Sequence, residues 1–179
     1  MKNNLIYLIL ILIFSSCSKP EPRKPIIRKT SSFMTESVQR NRVLNNLEED
    51  MLKQKMEKDS RFDYINSEYG FWYYYMEKDT LNNKYATTGD EVIFSYDIRT
   101  LNDSILYSKE ELGIQNYLVD KEELITGLQE GIKLMKEGET VVFLFPSYKA
   151  YGYTGNERVG SNEPLIYTVN IKKIINKNK

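Results

Sequence analysis

Thr140 to Phe145 reads TVVFLF, a continuous apolar run with Pro146 directly behind it. A strand with one face in water alternates apolar and polar residues, so a run without alternation describes a strand buried on both faces. Proline has no N–H for a sheet ladder, and the strand therefore ends at Phe145. The rest of the chain must cover this strand from two sides.

The other strand-like segments do alternate. Asp90 to Thr100 puts Val92, Phe94, Tyr96 and Ile98 on one face and Ile93, Ser95, Asp97 and Arg99 on the other. Leu165 to Ile174 repeats the pattern with Leu165, Tyr167, Val169 and Ile171, and GFWYYYMEKD from Gly70 is aromatic and strand-like. Between them, Glu122 to Lys136 reads as a helix with Leu124, Leu128, Ile132 and Met135 in one stripe and Gly138 to cap it. Several antiparallel strands with one short helix on a face make an α+β domain, expected over residues 62–176.

Upstream, Met34 to Lys58 contains no glycine or proline, and Val43, Leu44, Leu47, Met51, Leu52 and Met56 recur at helical spacing. An amphipathic helix is expected over 34–60. Its stripe is open to packing on the domain or on a second copy of the chain, which would make a homodimer. The charge runs Glu48 to Asp50 and Glu57 to Asp59 read as solvated helix surface.

Near the start, Lys2 precedes ten apolar residues from Leu5 to Phe14, which Ser15, Ser16 and Cys17 follow. At about 1.5 Å per residue the run is too short to span a bilayer, but it fits the apolar region of a signal peptide. The small residues before the only cysteine look like a lipobox, the cleavage signal of bacterial lipoproteins, with Phe14 where leucine is commonest. The competing reading is an ordinary signal peptide with a chance cysteine. A lipidated Cys17 would anchor the mature chain to a membrane, since each buried CH₂ adds about 0.8 kcal/mol. Residues 18–33, rich in proline and charge, then form an extended tether. The expected location is the cell envelope, anchored and facing the periplasm.

Composition narrows the chemistry. Basic and acidic residues balance at 25 each and no long basic stretch occurs, which argues against a nucleic-acid partner. There is no histidine, the one thiol is assigned to the anchor, and no glycine-rich phosphate loop opens a helix. The sequence is short of the groups on which most chemistry near neutral pH leans.

Four segments carry a family resemblance: GDEVIFSYDI, ELITGLQEGIKLMKEGE, FPSYKAYGYTG and LIYTVNIKKI, in that order across residues 89–174. Together they resemble the FKBP-type peptidyl-prolyl cis-trans isomerases. With the lipobox and the helical preamble, the whole chain resembles the gliding-motility-associated lipoproteins of that family. The resemblance implies an antiparallel sheet wrapped around one short helix, no cofactor, and proline-containing polypeptides as substrate. It also answers the shortage of reactive groups. Rotation about an X-Pro bond has a barrier of about 20 kcal/mol that comes from amide resonance, and no bond is made or broken. A pocket that binds the twisted amide better than the planar one suffices.

Site residues follow from the resemblance, position by position. Tyr96 and Tyr167 would wall the pocket, and each is also an ordinary core position on a strand face. Leu124 and Ile125 match a valine-isoleucine pair, so the Ile125 N–H would donate to a substrate carbonyl. The Tyr151 hydroxyl would hold the carbonyl beside the proline, and Val159 would close over the ring. Three positions depart from the family: Leu128 stands where the floor has tryptophan, Tyr107 where an aspartate lies beside the pocket, and the aromatic before the helix is Tyr117 in one register but Gln115 in another. Leu128 and Tyr107 keep a second reading open, a non-catalytic module that binds polypeptide as a chaperone or scaffold.

Overall fold

The computed structural model describes residues 30–81 and 84–177. The leader, Cys17 and the tether up to residue 29 lie outside the described residues. The chain divides into two compact units, 1–36 and 37–179. Of the first, only the opening of a helix is described.

That helix, α1, runs Thr30–Lys58, so residues 30–33 open the helix and do not end the expected tether. Lys55 and Lys58 lie in its last turn, where cations complement the helix dipole. Seven strands form one antiparallel sheet: β1 (Ile65–Asn66), β2 (Trp72–Glu77), β3 (Glu91–Thr100), β4 (Ile105–Tyr107), β5 (Gln115–Leu118), β6 (Thr140–Phe145) and β7 (Leu165–Ile175). The order is β1-β2-β6-β7-β3-β4, with β5 also paired to β3. Strand β3 pairs with β7 along its whole length, while its other edge is shared by β5 at Glu91–Phe94 and β4 at Ile98–Arg99. The short helix α2 (Lys109–Leu112) connects β4 to β5, and α3 (Thr126–Ile132) precedes β6.

Strand β6 is covered on both faces, and parity divides its side chains. Val141, Phe143 and Phe145 join a large cluster with Leu128 and Ile132 of α3, Val92, Phe94 and Ile98 of β3, and Leu165, Tyr167, Val169 and Ile171 of β7. Val142 and Leu144 point the other way and meet Leu52 of α1 and Ile166. Helix α1 thus covers the second face of the domain.

The stripe expected on α1 divides in consequence. Leu52 is buried, Leu44 is half-buried, and Met56 packs on the smaller cluster. Val43, Leu47 and Met51 are exposed, Leu47 by 56%. Positions 44, 48, 52 and 56 recur every fourth residue and form the inward row. Glu48 falls on that row and is only 5% exposed, which corrects its reading as solvated surface.

Helix α3 is shorter at both ends than the 122–136 expected. Its N-cap, Ile125, has extended backbone (φ −56°, ψ 141°), so Leu124 and Ile125 belong to the preceding loop. After Ile132 the chain leaves in tight turns, with Leu134 N–H donating to Gly131 and Met135 N–H to Ile132. Two glycines let α3 sit close to the sheet. A Cβ on Gly127 would lie 2.7 Å from the Phe145 ring, and one on Gly131 would lie 2.9 Å from the Phe143 ring.

Candidate active site

The large cluster ends in aromatic rings where β3 and β7 run side by side. Tyr96 pairs with Val169 in the ladder, and its half-buried ring stacks on Tyr167 with centroids 5.7 Å apart and planes 14° from parallel. Phe94 stacks beneath Tyr96 at 5.6 Å, and Phe145 meets Tyr167 at 5.3 Å and 61°. Alternation places these side chains on one face of three adjacent strands, β6, β7 and β3. Offset and tilted pairs of this kind are the favoured aromatic geometries.

The phenols of this wall are hard to ionise. Burial, then the nearby Tyr151 hydroxyl, raises both Tyr96 and Tyr167 above the ordinary tyrosine value, Tyr167 far more. Tyr167 is 1% exposed, and its hydroxyl, close to that of Tyr151, makes no well-aligned hydrogen bond among the described residues. Leaving a buried hydroxyl unpaired costs about 1–3 kcal/mol.

Above the wall lies the tyrosine-rich loop. Pro146 leads into a 3₁₀ turn at Ser147–Lys149, and Tyr151 follows, half-buried against the large cluster. The loop then doubles back. Asn156 and Val159 exchange backbone hydrogen bonds at 2.9 and 2.7 Å, and the Asn162 N–H donates to the Gly152 carbonyl at 2.8 Å. Gly155 makes this possible: its φ is 67°, and a Cβ there would lie 2.5 Å from the Val159 carbonyl oxygen. The turn buries Val159 in the cluster that holds Tyr167 and Leu128.

On the α3 side, Leu124 and Ile125 are half-buried against the same cluster. The Ile125 N–H donates to no described residue, although the Ile125 carbonyl accepts from Leu128 and Gln129. Leu128 is fully buried. On the β4 side, Tyr107 is half-buried, and the Arg158 guanidinium lies 4.7 Å over its ring. Arg158 also bonds both oxygens of Glu111 at 2.9 and 2.7 Å and the Leu106 carbonyl at 2.9 Å. It straps the Val159 turn to the β4–α2 segment.

One expected residue lies elsewhere. Tyr117 pairs with Val92, four positions along β3 from Tyr96; it is fully buried, and its hydroxyl accepts from the Asp120 N–H. It is a core residue with a committed hydroxyl. In the other register Gln115 pairs with Phe94, and its amide donates to the Leu112 carbonyl. Phe145 and Arg158 stand at the site without being among the expected site residues. Parity within TVVFLF would have put Phe145 beside Phe143, but an unbroken apolar run hides which parity faces the helix. Nothing local marks Arg158, whose partners are 47 residues or more away. Among the described residues, no three His, Cys, Asp or Glu side chains gather as a metal site would need.

The family model for FKBP-type peptidyl-prolyl cis-trans isomerase matches residues 82–172. No curated protein matches the sequence. Among solved structures, a peptidyl-prolyl cis-trans isomerase from Pseudomonas syringae is similar, with a TM-score of 0.61 and 16% identity over 75% of this chain and 96% of its own. FkpA from Escherichia coli is similar with a TM-score of 0.58 and 20% identity over 98% of this chain and 82% of its own. At these identities the structural likeness shows the fold, and the family match covers every residue of the aromatic wall and loop.

Proposed function

The chain belongs to the FKBP-type peptidyl-prolyl cis-trans isomerases, and on that premise we propose that it is a membrane-anchored folding catalyst for exported proteins, with its site at Tyr96, Ile125, Tyr151 and Tyr167. As an isomerase of this type it acts on proline-containing polypeptides. The observation that carries the site is the stacked Tyr96–Tyr167 pair under the Tyr151 loop.

A proline ring placed against these phenol faces is shielded from water. Desolvation weakens the planar, polar form of the amide more than the twisted one and lowers the barrier to rotation. The Ile125 N–H is uncommitted within the described protein and is suited to hold one substrate carbonyl, and the Tyr151 hydroxyl to hold the other. Fixing both ends of the bond leaves rotation as the remaining motion. Tyr96 and Tyr167 hold their protons through neutral pH, so the wall stays uncharged. Leu124 and Val159 would flank the ring, with Leu128 as an aliphatic floor and Tyr107, capped by Arg158, as a side wall.

The test is acceleration of cis-to-trans conversion in a proline-containing peptide by the full chain in detergent. We expect acceleration at micromolar protein, and Tyr151→Ala lowering kcat/KM about tenfold or more while the melting temperature stays nearly constant. No acceleration would favour the binding-only module, for which Leu128 in place of an aromatic floor is the supporting feature.

Anchoring through Cys17 is supported by the apolar leader and the small residues before that cysteine. Fatty-acid labelling of the chain, lost in Cys17→Ala together with membrane association, is the expected result. Service to a gliding apparatus at the periplasmic face is supported by the order of leader, tether, helix and isomerase domain. A homodimer through 34–60 is supported by the exposed side chains of Val43, Leu47 and Met51. Sedimentation of the Leu47→Lys variant as a monomer, against a wild-type dimer, is the outcome that fits.

A further inference from the structure

Tyr151 needs a fixed backbone if its hydroxyl is to meet a carbonyl, and the loop is pinned through one residue. The Ser147 carbonyl accepts from the Ala150 and Gly152 N–H groups, both at 2.8 Å. The N–H groups of the residues before and after Tyr151 are thus held to a single oxygen. Ser147 is itself held from α1: its N–H donates to Glu48 Oε2 at 2.6 Å and its hydroxyl donates to Glu48 Oε1 at 2.7 Å. Both residues are buried, and they are 99 positions apart in the chain.

Glu48 is an expensive residue for its place. It stands on the inward row between Leu44 and Leu52, where an aliphatic side chain would extend the packing. A buried carboxylate loses its hydration and must recover it from hydrogen bonds. No described cation pairs with Glu48, and both of its side-chain bonds go to Ser147. Bonds to an ionised acceptor are stronger and more directional than neutral ones, which suits a fixed point. Other contacts hold the same turn. Tyr148 donates to the Gly70 carbonyl at 3.2 Å, and Lys149 pairs with Glu130 of α3 at 2.7 Å. A groove of about 190 Å³ lies beside Ser147, between Asn41, Leu44 and Asn45 of α1 and Tyr148, Gly152 and Tyr153 of the loop.

We propose that Glu48 is a positioning residue of the isomerase: through Ser147 it fixes the backbone that aims Tyr151. Helix α1 is then a working part of the active site as well as the cover of the second sheet face. The inference rests on the reading of Tyr151 as a substrate-holding hydroxyl, and the test separates the two.

In the full chain, Glu48→Ala is expected to lower kcat/KM about tenfold, since small displacements of a positioned group cost this much or more. Glu48→Gln should restore it to within about twofold, because the amide can accept from the Ser147 N–H and donate to its hydroxyl. Ser147→Ala, which keeps the backbone bond, should cost about threefold, between those two. In a Tyr151→Phe background the same Glu48→Ala change should cost less than about twofold, the mark of residues acting as a unit. Wild-type kcat/KM in both Glu48→Ala and Ser147→Ala, with Tyr151→Phe damaged, overturns the positioning role alone. An undiminished Glu48→Ala loss in the Tyr151→Phe background overturns it too. Wild-type kcat/KM in Tyr151→Phe overturns the reading of the loop, and the coupling with it. If Glu48→Ala does not fold, Ser147→Ala alone and in the Tyr151→Phe background decides by the same criteria.

Discussion

The two faces of β6 do different work with the same six residues. On one, Val141, Phe143 and Phe145 enter a broad aromatic core that reaches from Phe71 to Tyr167. On the other, Val142 and Leu144 meet only Leu52 and Ile166 as fully buried partners, with Met56, Tyr64, Trp72, Tyr74 and Leu101 at the edges. The rings end in the stacked Tyr96–Tyr167 pair, and the candidate site lies at that margin. The second face is aliphatic at its centre. It seats a helix, and that helix carries the carboxylate that holds the loop above the pocket. One face supplies the walls and the other supplies the brace.

Truncation on each face tests this contrast most severely. Phe143→Ala should cost about 3–5 kcal/mol, read as a lower denaturant midpoint, because it opens a cavity under α3. Leu52→Ala should fall toward the low end of the range of about 2–5 kcal/mol for buried leucine, since its cluster is small and partly open. A larger loss at Leu52 than at Phe143 would invert the ranking of the two faces. Overpacking comes next: Gly127→Ala would press a methyl into the Phe145 ring and the Lys149 carbonyl, at 2.7 and 3.0 Å. We expect about 1–3 kcal/mol of destabilisation from it.

Tyr167→Phe sharpens the comparison from the other direction. It removes a buried hydroxyl without a well-aligned hydrogen bond and keeps the ring, so stability should rise by about 1 kcal/mol while kcat/KM stays within about twofold. A fall in stability would mean that the hydroxyl is bonded in solution. The smallest effect expected is that of pH on the wall. Tyr96 and Tyr167 have raised values, so their protonated forms persist, and kcat/KM should be flat from roughly pH 6 to 9. The stability they contribute is intact below the ordinary tyrosine value of about 10, and it declines as pH rises from there toward the folded values, because the unfolded chain ionises first. An inflection in kcat/KM near neutrality would point to a titrating group outside this wall.

Much of this was legible in the residues. Alternation from Val92 to Ile98 and from Leu165 to Ile171 put Tyr96 and Tyr167 on the core side, and the ladder brings those two strands together. Period-two patterning is local, and a strand keeps it whatever it pairs with. Helix ends were less legible. Two glycines pressed on aromatic rings and an extended Ile125 shorten α3, and those contacts come from β6. Tyr117 was ambiguous for a similar reason: a shift of register by two keeps the same face but changes the neighbour, and only pairing with Val92 decides it.

The sequence by itself determined the long strands β2, β3, β6 and β7, which faces of β3 and β7 are apolar, and a helix between them. Those properties follow from periodicity and from residue types, which act over a few positions. Only the tertiary structure decided that Glu48 is buried, that α1 closes the second face of β6, and that Arg158 straps one side of the pocket. Each of these depends on a partner tens of residues away, and the energy of a charged side chain is set by what surrounds it in space.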